Sequence, residues 1–129
     1  ILGSFTTTYQ GLSLPDSFID SGSNALFFND NTLTACATQT VFYCPLQLQA
    51  LQASNQQAGG PISTVSFKVD NLETLSANNP TFNALPNIAG TNLLTLSFDW
   101  GLPFFYGRTV FVGFENRNAA QSAGPFVAY

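Results

Sequence analysis

Phe18-Ile19-Asp20-Ser21-Gly22-Ser23-Asn24 sets two large apolar residues directly against a carboxylate, then follows it with a hydroxyl, a glycine and a second hydroxyl. Phe18 and Ile19 read as the buried end of a strand. A charge in the next position is costly unless it is hydrogen-bonded or its pKa is shifted. Ser21 and Ser23 are short donors able to bond that carboxylate, and Gly22 permits a tight turn with close backbone approach. The stretch describes one acid held rigidly at the mouth of an apolar core. It equally describes an ordinary Asp-Ser-Gly turn between strands, because these residue types favour turns for local reasons. The rest of the chain weighs the two readings.

Composition removes whole classes of function. The chain has 129 residues, one domain of ordinary size, and 45% of them are hydrophobic, enough for a real core. Charged residues make up only 8%, so Asn, Gln, Ser and Thr must cover the surface. Lys68, Arg108 and Arg117 are the only cations and the net charge is -4, which argues against nucleic acid or an anionic membrane as partner. Without His there is no imidazole metal site and no Ser-His or Cys-His catalysis within this chain. No cluster implies a metal or an organic cofactor. No apolar run reaches the length of a membrane span, and nothing at the start reads as a signal peptide. The absence of Met makes the chain read as a processed product, an excised domain or a proteolytic fragment. Cys36 and Cys44 enclose seven residues. A local disulfide is the better reading than two buried thiols, and it points outside the cytoplasm. Closing so short a loop contributes about 2.5 kcal/mol in the chain-entropy model.

Upstream of the acid, Phe5-Thr6-Thr7-Thr8-Tyr9 is β-branched and aromatic, Gln10-Gly11 is a turn signal, and Leu12-Ser13-Leu14 alternates. This predicts a hairpin within residues 1–19, interrupted at Pro15-Asp16. Downstream, Ala25-Leu26-Phe27-Phe28 reads as an apolar strand ended by Asn29-Asp30-Asn31. Strands are expected over Leu46–Leu51 and over Ile62–Val69, the latter with Val65, Phe67 and Val69 on one face, separated by a loop from Asn55 to Pro61. Leu72–Leu75 predicts one helical turn, stopped at Asn78-Asn79-Pro80. Phe82, Leu85 and Ile88 are spaced as on a short helix, and Leu93–Phe98 returns to strand. Many short strands and turns indicate an antiparallel all-β domain, sandwich-like or barrel-like, with one or two short helices.

The Asp20 turn resembles the active-site turn of the aspartic peptidases, which is two apolar residues, Asp, Thr or Ser, Gly, then Thr or Ser. The last third resembles the same pepsin-like lobes in its order. Trp100-Gly101 precedes Leu102-Pro103-Phe104-Phe105-Tyr106, then Arg108-Thr109-Val110-Phe111, a polar turn at Asn116-Arg117-Asn118, and Gly124-Pro125-Phe126-Val127-Ala128. Asp99 and Trp100 stand where that pattern has an apolar pair, and the segment from Gly101 to Phe111 is one residue short. Across nearly its whole length the chain is also similar to DUF3443, a bacterial family of exported proteins. The shared phrases are Phe18–Phe28, Phe42-Tyr43-Cys44-Pro45, Phe98–Phe105 and Gly107–Phe111.

These resemblances imply a single aspartic-peptidase-like lobe over residues 1–129, the second half of a two-lobed protein. Asp20 would be one catalytic carboxylate, Ser21 and Ser23 would orient it, and Gly22 would supply the close turn. The second carboxylate would come from another Asp-Thr/Ser-Gly turn, on another lobe or a symmetric partner, because two carboxylates share one proton across a water in this chemistry. The substrate would be a peptide, and the location extracytoplasmic: periplasmic, envelope-associated or secreted. Two other readings remain open: a non-cleaving pepsin-fold module that holds an extended peptide, and a β-domain of an envelope or adhesion protein in which Asp20 merely closes a turn. Asp99 reads as a capping or turn residue. Trp100 and Phe104-Phe105-Tyr106 read as core before cleft. Arg108 is expected to pair with an acid.

Overall fold

The computed structural model describes residues 3–119 and 122–129. Its strands in chain order are β1 (Phe5–Tyr9), β2 (Leu12–Ile19), β3 (Leu26–Phe27), β4 (Gln49–Gln56), β5 (Ile62–Val69), β6 (Ala89–Gly90), β7 (Asp99–Trp100), β8 (Phe111–Gly113), β9 (Asn118–Ala119), β10 (Ser122–Ala123) and β11 (Phe126–Ala128). One helix, α1 (Leu72–Asn78), follows β5, and a 3-10 helix over Leu102–Phe105 follows β7. The protein is all-β. Seven strands form one sheet in the order β5-β4-β1-β2-β7-β3-β6, curled almost into a barrel, and two small two-stranded ladders pair β9 with β10 and β8 with β11. The expectation of purely antiparallel pairing is corrected at two places: β2 runs parallel to β7, and β3 parallel to β6.

The predicted hairpin is β1–β2, turned at Gln10 and Gly11, both at positive φ. Phe5, Thr7 and Tyr9 are buried and alternate with less buried threonines, the period of a half-buried strand. Pro15-Asp16 does not interrupt β2. The register slips there, from Phe5 opposite Ser17 to Thr7 opposite Leu14. A bulge tolerates a residue without an N–H. The buried Ser17 hydroxyl repairs the ladder, donating to the Leu14 carbonyl at 2.8 Å and accepting the Phe98 N–H at 3.0 Å.

β5 matches its expected span, with Val65 and Val69 buried and Phe67 half-buried. β4 begins three residues later than expected and extends to Gln56, into the segment expected to be loop. The turn before β5 sets Gln56 opposite Ile62 and Gln49 opposite Val69, so β5 has no residue left to pair with Leu46, which is 96% exposed. The helical turn at Leu72 is present, with Asn71 accepting the Thr74 N–H at 2.9 Å as its cap. No helix forms over Phe82–Ile88, where Pro86 falls inside the supposed turn. Leu85 and Ile88 are still buried, whereas Phe82 is exposed. Leu93–Phe98 is turn and loop rather than strand, and β7 begins only at Asp99. The Asn92 side chain donates to the Phe27 and Ser97 carbonyls and accepts the Leu94 N–H, drawing the backbone into a local loop and leaving Leu93, Leu94 and Leu96 exposed.

The core is an aromatic stack. Phe28 lies face to face with Phe98 at 4.6 Å and Phe98 with Trp100 at 4.1 Å, while Phe67 meets all three edge-on. Of the residues read as core, Trp100 and Phe104 are buried, Phe105 is half-buried, and Tyr106 is exposed, so the reading is corrected there. The Trp100 Nε1 donates to Thr7 Oγ1 at 3.1 Å, and that hydroxyl donates to Asn55 Oδ1 at 2.8 Å. Beside it lies a second cluster of Ala25, Leu72, Leu85, Ile88 and the Cys36–Cys44 disulfide. Among the described residues Arg108 pairs with no acid. Its guanidinium donates to the Phe104 and Ser66 carbonyls and lies 4.8 Å over the Phe104 ring.

The chain leaving β3 is anchored by a buried acid. Asp30 accepts hydrogen bonds from Tyr9 Oη at 2.6 Å, Gln10 Nε2 at 2.9 Å, and the Thr32 N–H and hydroxyl at 2.8 and 2.6 Å. Burial alone would raise its pKa, but the bonds from Thr32, Tyr9 and Gln10 together hold it below the ordinary value. A lowered carboxyl pKa adds stability above the unfolded value, and this is lost as pH falls through the folded one. Asp30→Ala is therefore expected to cost about 3 kcal/mol at neutral pH, because it orphans buried donors. Urea unfolding at pH 7 and pH 3 checks this, with the difference from the parent shrinking at the lower pH.

Candidate functional site

The Asp20 turn is gripped by a strand that comes from far along the chain. β7 inserts between β2 and β3, the two strands that the turn joins, parallel to the first and antiparallel to the second. The ladder runs Asp16 N–H to Leu96 O, Phe18 N–H to Phe98 O and Asp20 N–H to Trp100 O, each at 3.1 Å. Asp20 is thus the last residue the ladder fixes, and its side chain enters the turn half-buried. Phe18 and Ile19, expected to be buried, are half-buried.

Within the turn, Asp20 Oδ1 accepts the Gly22 N–H at 2.7 Å and its carbonyl accepts the Ser23 N–H at 3.2 Å. A Cβ on Gly22 would lie 3.0 Å from Asp20 Oδ1, closer than ordinary packing allows, which is why the position suits glycine. Ser23 Oγ lies 3.2 Å from Asp20 Oδ2. Ser21 is exposed, and among the described residues no hydrogen bond joins its hydroxyl to Asp20. Of the two hydroxyls predicted to orient the acid, only that of Ser23 reaches it.

Gly101 closes the arrangement from beneath. A Cβ there would overlap the Ala25 carbonyl oxygen and lie 2.8 Å from that of Ser23. The next residue, Leu102, donates its N–H to the Ser23 carbonyl at 2.7 Å, and the 3-10 helix starts there.

Asp99 is not a capping or turn residue. It sits in β7 between Phe18 and Phe27, buried, on the opposite face of the strand from Phe98 and Trp100. Its Oδ2 accepts the Ser23 hydroxyl at 2.6 Å, and its Oδ1 is buried without a hydrogen-bond partner among the described residues. Burial pushes its pKa up; the Ser23 hydrogen bond opposes this and the nearby Asp20 charge adds to it, leaving the group at about 6. One serine oxygen therefore stands between two carboxylates. The signal was present in the sequence: an acid between Phe98 and Trp100, on a strand of period two, must face away from the core those rings build.

A carboxyl raised from the ordinary 3.8 to about 6 leaves stability intact below pH 3.8, and the folded state loses it as pH rises through 6. Between pH 4.5 and 7.5 the loss amounts to about 2 kcal/mol. Asp99→Asn is expected to remove this fall, so that urea midpoints at pH 4.5 and 7.5 converge in the variant and differ in the parent.

No metal-binding arrangement follows from Glu73, whose carboxylate lies beside the two cysteine sulfurs. Those sulfurs are bonded to each other, and the carboxylate accepts the Thr38 N–H and hydroxyl at 2.7 and 2.6 Å. No helix among the described residues is long and apolar enough to cross a membrane.

A family model described as a protein of unknown function, DUF3443, matches residues 1–129. No curated protein matches the chain and no solved structure does.

Proposed function

The chain belongs to DUF3443, and from that premise we propose that it is one lobe of a pepsin-like aspartic peptidase, in which Asp20 supplies one of two catalytic carboxylates. The observation that carries the reading is the threaded strand: β7 runs between β2 and β3 and packs Gly101 against the turn that holds Asp20. A turn that merely linked two strands would not require a third strand to lock it from both sides. Gly22 and Ser23 hold the two oxygens of the half-buried Asp20 carboxylate.

The second carboxylate comes from another lobe or a symmetric partner with its own Asp-Thr/Ser-Gly turn. Like charges about 3 Å apart cannot both ionise, so the pair shares one proton across a water. The ionised member takes a proton from that water as it attacks the peptide carbonyl, and the protonated member donates to the carbonyl oxygen. No covalent intermediate forms and no cofactor takes part. The Cys36–Cys44 bridge supports an extracytoplasmic setting, in the bacterial envelope or beyond it.

A second reading, a lobe that binds extended peptide without cleaving it, draws on β5. This eight-residue strand ends the sheet, with an edge that a peptide could extend. The test is incubation of the whole protein with unfolded polypeptide between about pH 3 and 7, with products read by mass spectrometry. Cleavage supports the peptidase reading. Retention of intact peptide without cleavage overturns it in favour of the second.

A further inference from the structure

We propose that Asp99 is a positioning residue for Asp20, acting through the hydroxyl of Ser23, whose single proton it either claims or leaves to Asp20. The proposal deepens the peptidase reading and rests on it only for the consequences for hydrolysis. Ser23 Oγ lies 2.6 Å from Asp99 Oδ2 and 3.2 Å from Asp20 Oδ2. A hydroxyl carries one proton and two lone pairs, so it cannot donate to both carboxylates at once.

When Asp99 is ionised, the shorter, charge-assisted bond takes the Ser23 proton, and Asp20 Oδ2 faces a serine lone pair. When Asp99 carries a proton from solvent on Oδ2, that proton is donated to Ser23 Oγ, and the Ser23 proton turns to Asp20. The serine O–H rotates without breaking. The Asp20 anion thus gains a donor when Asp99 is neutral and loses it when Asp99 is charged. The partnerless Asp99 Oδ1 suits a neutral carboxyl better than a carboxylate.

Asp20 is the titratable group that faces Asp99 from the turn. Asp16 lies further back along β2, exposed, with its N–H bonded to the Leu96 carbonyl. β3 and the 3-10 helix bring no titratable side chain, and Arg108 beyond that helix is bonded to carbonyls. With Asp99 at about 6, the exchange falls inside the range of about pH 3 to 7 over which hydrolysis is assayed.

The test is the carboxyl carbon-13 titration of Asp20 in the protein, assigned with Asp20→Asn. The parent is expected to show a second inflection near pH 6 at Asp20, reporting the turning of Ser23. That inflection is expected to vanish in Asp99→Asn, whose amide donates to Ser23 at every pH, and to shrink in Ser23→Ala, which cuts the hydrogen-bonded link and leaves only the direct charge interaction between the two acids. Across pH 6 the parent's rate is expected to step down by about tenfold as Asp20 loses the Ser23 donor, a step absent in Asp99→Asn. A single inflection in the parent, or one near pH 6 that survives Asp99→Asn or is undiminished in Ser23→Ala, overturns the proposal. A titration that behaves as stated in a protein that cleaves no peptide supports the Asp99 coupling and overturns the peptidase reading alone.

Discussion

Asp20→Asn is expected to lower peptide hydrolysis by about a thousandfold or more while leaving the fold in place. Asn keeps an oxygen that accepts the Gly22 N–H, so the 2.7 Å bond that shapes the turn has a replacement. The ladder bond from the residue 20 N–H to the Trp100 carbonyl belongs to the backbone and does not depend on the side chain. Stability is expected to stay within about 1 kcal/mol of the parent. What the amide cannot do is take a proton from water at the working pH. Rates with a fixed peptide, measured beside urea midpoints, separate lost chemistry from lost structure. Equal rates in parent and variant would remove Asp20 from catalysis.

Gly101→Ala carries the second large effect, on the fold itself. The glycine lies in ordinary extended backbone, so the penalty is one of space rather than of conformation. The new methyl group would overlap the Ala25 carbonyl and crowd that of Ser23, two backbone atoms of a turn already fixed by the Leu102 N–H. Neither can swing aside as a flexible side chain would. Relief requires β7 to withdraw from between β2 and β3, which exposes part of the Phe98–Trp100 stack. The expected cost is about 3 kcal/mol or more, a fall of about 10 °C in Tm for a domain of this size. Gly107→Ala is the control: that glycine has φ of 74° with open space around it, so only the backbone strain, about 1 kcal/mol, is expected. Equal Tm for Gly101→Ala and the parent would mean that β7 does not close on the turn.

Much of the arrangement was legible in the chain, and the illegible parts share a cause. Short-range signals carried the β1–β2 hairpin, the β5 face of Val65, Phe67 and Val69, the Asn71-capped helical turn and the acid turn at Asp20. The disulfide was legible from spacing. Signals that depend on a distant partner were misread. Leu46 alternates like a strand residue but finds nothing opposite it, because the β4–β5 register is fixed by the turn at Gln57–Pro61. Leu93–Phe98 has strand composition, yet one side chain, Asn92, offers its backbone a closer set of bonds. Asp99 was the costliest misreading. Its neighbours Phe98 and Trp100 gave its facing correctly, but only the parallel pairing of β2 with β7 brings it beneath Ser23. Parallel pairing joins strands with no tight turn between them, and so leaves no local mark.

The proposed dyad has a direct measurement: an experimental structure of the protein with its partner, in which the nearest carboxylate to Asp20 from outside residues 1–129 is located. An aspartate of a second Asp-Thr/Ser-Gly turn is expected, about 3 Å from the Asp20 carboxylate and sharing a water with it. An Asp20 whose carboxylate meets only solvent, or is covered by apolar residues of its neighbour, would contradict the proposal.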